Sequence, residues 1–129
     1  MKIVTICHAG TIRSVAMAYV LKHLGHDALA VSHKWNSPET IQMLCKWADK
    51  IIPMTTDFRE YVPEDFRSKI LDADVGIDKW ANPLHPELME ACIAIAEHHG
   101  LASDGWRKSN KVGETVKSQP PQPEVGATK

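Results

Sequence analysis

The 129-residue chain has no excess charge of one sign, few cysteines and no long apolar run, and each shortage closes off a class of function. Its formal net charge is -1, with Lys/Arg and Asp/Glu interspersed, so it lacks the basic footprint that nucleic-acid binders show. Nucleic acid is not an expected partner. The N-terminal segment MKIVTIC has a single Lys before an apolar stretch too short for a signal-peptide core or a bilayer span, and no later run is long enough either. The expectation is a soluble, cytoplasmic protein with no membrane partner. Three cysteines, Cys7, Cys45 and Cys92, are odd in number and lack paired spacing, which argues against a secreted disulfide framework and for a reducing compartment. No spaced Cys/His set accompanies the adjacent pair His98 and His99, which cannot easily face one ion together, so neither a metal nor a cofactor is expected. No internal repeat is present.

What remains is an alternation of short apolar segments and helical patterns. Lys2 to Cys7 reads as a buried strand, followed by a helix from Ile12 to Leu24, where apolar residues recur at helical spacing and Gly25 supplies the stop. Ala28 to Val31 is a second strand, leading into a polar loop with His33, Lys34, Trp35 and Asn36. Ser37, Pro38 and Glu39 open a helix through Trp47 as N-cap, first-turn proline and first-turn acid. Asp49 to Met54 is the third strand, a short helix runs from Thr55 or Thr56 to Tyr61, and Lys69 to Leu71 is read as a fourth strand. Asp72 to His85 lacks periodicity and is expected to be a functional loop. A last helix spans Pro86 to His99, with Gly100 after it.

This order predicts an α/β fold, a three-layer sandwich with a four-stranded parallel sheet in the order 2-1-3-4 flanked by helices. The domain is expected to cover residues 1–104, with a disordered tail at 105–129 rich in Lys, Ser, Gln, Pro and Gly. In such sheets ligands bind at the carboxyl ends of the strands.

The run Cys7-His8-Ala9-Gly10-Thr11-Ile12-Arg13-Ser14 leaves the first strand at that edge and enters a helix. Unpaired N–H groups and the positive end of a helix dipole favour a tetrahedral oxyanion there. Gly10 permits close backbone approach, and Arg13 presents a planar fork for two oxygens that Lys could not reproduce. The loop from His8 to Ser14 is therefore the candidate binding site for a phosphoryl group. Cys7 lies in the same field, which favours thiolate over thiol, and Ser14 can donate a hydrogen bond to it. Sulfur attack on phosphorus, giving a phosphocysteine that water hydrolyses, is the chemistry these residues can perform without a metal. Cys45 and Cys92 lie on apolar helix faces and read as core.

The N-terminal Cys-x5-Arg-Ser loop after the first strand resembles that of the low-molecular-weight protein tyrosine phosphatase family. RSVAMAYVLK resembles the family's first helix, and WADKIIPMT its third strand. The likeness covers about residues 1–102, specific at the loop and loose elsewhere. It implies a general acid in the late loop, an Asp commonly followed by Pro and an aromatic. Asp78-Lys79-Trp80 supplies the acid and the aromatic with Lys between, Asp74 and Asp72 are the alternatives, and Asn82-Pro83 looks like an amidated Asp-Pro pair. The resemblance also implies aromatic walls, here Trp35 and Trp80, around a phosphotyrosine or small aryl phosphate; Trp47 and Trp106 fit packing roles better. The chain departs from the family at Ala9 and Gly10, where Gly and Asn are usual, and at Ile12, where many members carry a second Cys. The segment between the second and third strands is also short.

The expected activity is thus a metal-independent protein tyrosine phosphatase using Cys7, Arg13 and Asp78, acting as a monomer or weak dimer. The alternatives are an arsenate reductase with the same fold and nucleophile, or a phosphoryl- or partner-binding module with weak turnover.

Overall fold

The computed structural model describes residues 1–8, 12–77 and 79–102. Three parallel strands, β1 (Lys2–Cys7), β2 (Asp27–Ser32) and β3 (Lys50–Pro53), form a sheet in the order β2-β1-β3. β1 runs from Lys2 opposite Asp27 to Cys7 opposite Ser32 on one side, and pairs Ile3 to Ile6 with Lys50 to Pro53 on the other. As the central strand it is buried on both faces, which explains a near-continuous apolar run instead of alternation.

Among the described residues three α-helices cover the sheet: α1 (Arg13–His23), α2 (Pro38–Trp47) and α3 (Pro86–His98). One core packs Ile3 and Cys7 of β1 and Ile52 of β3 against Met17 and Leu21 of α1 and Leu88, Cys92 and Ile93 of α3. The opposite face of the sheet packs Val4, Ile6, Val31 and Ile51 against Ile41 and Cys45 of α2. The two sets use alternate residues of β1, as the pleat requires. The helix ends follow their sequence signals. Ser37 Oγ accepts from the Thr40 N–H at 3.2 Å, and Gly25, at φ 92°, closes α1 where the His26 N–H returns to the Leu21 carbonyl at 3.0 Å.

The expected fourth strand is not formed among the described residues, and the sheet has three strands instead of four. Lys69 ends a 3-10 turn, Glu64–Lys69, and only an isolated bridge joins Ile70 to Ile51. Beyond it the chain follows β3 through two separated bonds, Leu71 N–H to the Ile51 carbonyl at 2.8 Å and Val75 N–H to the Met54 carbonyl at 3.0 Å. A two-residue apolar run between Lys69 and Asp72 is too short to build a ladder. The short helix after β3 is another 3-10 turn, Thr56–Tyr61. No helix among the described residues is long and apolar enough to cross a membrane.

Candidate active site

Cys7 ends β1 and Arg13 begins α1, so the sheet edge and the helix start bring the two ends of the motif together. Cys7 Sγ lies 3.0 Å from Ser14 Oγ and 3.4 Å from the Ser14 backbone N. Both Ser14 groups can donate to sulfur once it is a thiolate. Ser14 is itself fixed, because the buried Thr5 hydroxyl donates to its carbonyl at 2.8 Å. A threonine inside an apolar strand thereby gains a partner and locks the helix start against the strand.

Arg13 is only 5% exposed. Its Nη1 donates to the Gly76 carbonyl at 2.9 Å, and its guanidinium carbon lies 5.3 Å from the centre of the Phe58 ring. The Gly76 carbonyl is aimed by a turn in which Asp74 Oδ1 accepts from the Gly76 N–H at 2.9 Å, with Gly76 at φ 83°. The late loop is thus tied to the arginine.

The β2–α2 connection closes the other side. Ser32 Oγ donates to the His8 carbonyl at 2.7 Å and accepts from the Lys34 and Trp35 N–H groups at 3.0 and 2.8 Å. Above it, His8 Nδ1 and His33 Nε2 lie 3.2 Å apart. Burial lowers the His33 pKa, and nearby His8 and Arg13 push it the same way. An open cleft of about 520 Å³ lies at this edge, lined by His8, Arg13, Thr55, Thr56, Asp57, Phe58, Asp74, Gly76 and Ile77.

Of the residues singled out from the sequence, Cys7, His8, Ile12, Arg13 and Ser14 lie together at the β1–α1 junction, with His8 and Arg13 in the cleft wall. Ala9, Gly10, Thr11 and Asp78 lie outside the described residues, as do Trp106 and the tail. Asp74 lines the cleft, where its Oδ2 accepts from Thr56 Oγ1 at 3.3 Å. Asp72 is exposed and paired with Arg59, away from the cleft lining. Trp80 is 8% exposed within the core that holds α1 and α3, whereas Trp35 is 71% exposed beneath the Lys34 ammonium. Neither indole lines the cleft, and its aromatic wall is Phe58. Sequence reasoning missed Asp57 and Phe58. Their position just past β3, at the carboxyl edge where ligands bind, was the available signal.

Cys45 and Cys92 are buried on opposite faces of the sheet, and burial pushes their pKa values up to about 11 and about 12. Among the described residues no cluster of three His, Cys, Asp or Glu side chains could hold a metal ion.

No protein-family model and no curated protein sequence matches the chain. Solved structures do. Wzb of Vibrio vulnificus, determined with benzylphosphonate, is 16% identical, with a TM-score of 0.55 over 84% of this chain and 97% of its own. A low-molecular-weight protein tyrosine phosphatase from Bacillus subtilis is 15% identical, with a TM-score of 0.55 over 88% of this chain and 98% of its own. The YwlE arginine phosphatase of Geobacillus stearothermophilus is 13% identical, with a TM-score of 0.53 over 94% and 99%. The chain has the fold of the low-molecular-weight protein tyrosine phosphatases.

Proposed function

We propose that the chain is a cysteine-dependent phosphomonoester hydrolase acting on phosphotyrosine or a similar aryl phosphate. The observation that carries this reading is the contact of Cys7 Sγ with Ser14 Oγ and Ser14 N at the start of α1, beside the cleft that Arg13 lines. In the proposed reaction the Cys7 thiolate attacks phosphorus and the bond to the leaving oxygen breaks. Arg13 and the helix start stabilise the charge on the equatorial oxygens. A late-loop carboxylic acid protonates the leaving oxygen, with Asp78 the first choice and Asp74 the alternative that lines the cleft. Water then cleaves the sulfur–phosphorus bond and releases phosphate. Phe58, packed on the Arg13 guanidinium, supplies the apolar face an aryl group needs.

A second substrate reading rests on Asp57 and Asp74, two carboxylates in one cleft wall that suit the cationic guanidinium of a phosphoarginine. An arginine phosphatase among the structural neighbours is in keeping with it. The arsenate reductase alternative is weaker, because it needs a second accessible thiol and both other cysteines are buried.

The test is hydrolysis of p-nitrophenyl phosphate and of phosphoarginine by the native chain and by Cys7→Ser. Loss of hydrolysis in Cys7→Ser is expected. Activity that survives the substitution sinks the mechanism, and binding of phosphate without turnover in either protein favours a binding module. Faster release of phosphate from phosphoarginine than from the aryl ester would favour the second substrate reading.

A further inference from the structure

His8 follows the nucleophile and lines the cleft, yet the proposed reaction gives it no task. Its Nδ1 faces His33 Nε2 at 3.2 Å, with ring centres 4.9 Å apart and planes at 66°. His33 is held firmly. Its ring stacks on Tyr61 at 3.8 Å and 3°, meets Phe58 at 5.1 Å, and its backbone N–H donates to the Cys7 carbonyl at 3.2 Å. A ring fixed in this way presents Nε2 to His8.

Two imidazoles in direct contact do not both carry charge easily, because like charges at this distance repel. His33 is the member that gives up its charge first, since burial and the facing His8, with a smaller push from Arg13, lower its pKa against the opposing pull of a backbone hydrogen bond and of Glu60. In the arrangement proposed below, neutral His33 accepts through Nε2 and His8 carries its proton on Nδ1. The other nitrogen of His8, Nε2, is then the site where a second proton adds. The titratable and charged groups around the pair are Cys7 from β1, Arg13 from α1, Glu60 and Tyr61 from the 3-10 turn after β3, and Asp57 and Asp74 in the cleft wall.

We propose that His8 and His33 form a dyad in which His33 positions His8, and protonated His8 adds a titratable positive charge to the oxyanion end of the cleft. The dyad rests on the reading that this cleft binds a phosphoryl group. Its consequence is a site that holds a dianion more tightly in mild acid than in mild alkali, with Arg13 providing the charge that does not change. His33 touches no substrate in this scheme.

Sulfate is a suitable probe because it stays a dianion throughout the range in which histidine titrates. The expected result is a sulfate affinity about tenfold higher near pH 5.5 than near pH 8. That step should vanish in His8→Gln. His33→Phe keeps a ring against Tyr61 but removes Nε2, and should shift neutral His8 from the Nδ1–H to the commoner Nε2–H tautomer, read from its ring 15N chemical shifts. Equal sulfate affinity at the two pH values, the same step in His8→Gln, or an Nε2–H tautomer of His8 in the native chain each overturns the dyad. Both measurements proceed without turnover. A native chain that shows the step but hydrolyses no phosphomonoester refutes the phosphatase reading alone, and one that hydrolyses without the step refutes the dyad alone.

Discussion

Ser14→Ala isolates the contact on which the proposed nucleophile, Cys7, depends. Ser14 is fully buried, and its carbonyl remains held by Thr5 after the hydroxyl is removed, so the backbone N–H keeps its place 3.4 Å from sulfur while the 3.0 Å contact from Oγ is lost. A hydrogen bond to a charged group contributes about 1.5–3 kcal/mol, so its loss is expected to slow attack by the sulfur roughly ten- to hundredfold. Thiolate, not thiol, reacts with iodoacetamide, a neutral reagent whose approach the positive site does not bias. The assay is the alkylation rate of the Cys7 peptide, followed by mass spectrometry toward the acidic end of the working range. The substituted chain should react about tenfold more slowly or worse, with a comparable fall in phosphate ester turnover. Equal rates in the two proteins would refute the claim that Ser14 activates the sulfur, whatever happens to stability.

Arg13→Lys keeps the charge but loses the fork, the bond to the Gly76 carbonyl and the face packed on Phe58. It should lower kcat/KM for p-nitrophenyl phosphate about a hundredfold or more while circular dichroism stays native. Lys69→Met removes an ammonium that donates to the carbonyls of Cys45 at 2.9 Å, Lys46 at 3.2 Å and Ala48 at 2.6 Å at the end of α2. Urea unfolding should show a loss of about 1–3 kcal/mol, and an unchanged midpoint would mean water replaces the lysine without cost. The thiols of Cys45 and Cys92 ionise at about 11 and about 12 in the folded chain, whereas unfolded cysteine ionises near 8.5. Their contribution to stability is therefore complete below about pH 8.5 and declines as pH rises toward 11 and 12. Cys92→Ala should flatten the alkaline limb of the stability profile, and a limb of unchanged slope would contradict the assignment.

The parts of this molecule that could be read from sequence are those set by local chemistry. Ser37 and Pro38 mark the start of α2, Gly25 marks the end of α1, and Cys7 and Arg13 mark the end of β1 and the start of α1. What sequence did not reveal depends on the tertiary path. Ile70 and Leu71 have strand-forming side chains, but no ladder forms around them, and only the folded chain shows one bridge there. Trp80 reads as a pocket wall by its place after Asp78, yet it belongs to the core with Leu88 and Met89, and the cleft is walled by Phe58 from a 3-10 turn with no helical periodicity to announce it. The neighbours of Arg13 are of the same kind. A carbonyl at Gly76 and a ring at Phe58 are set by the return of two loops to one sheet edge, which no spacing within the motif encodes.

The central claim is that Cys7 carries the phosphoryl group between substrate and water. The most direct test is to mix the native chain with p-nitrophenyl phosphate, quench in acid within the first turnovers, and locate any added phosphoryl group by mass spectrometry. A single phosphoryl group on the peptide containing Cys7, missing from Cys7→Ala, is the result expected. Steady release of phosphate with no labelled peptide, or label on a residue other than Cys7, would contradict it.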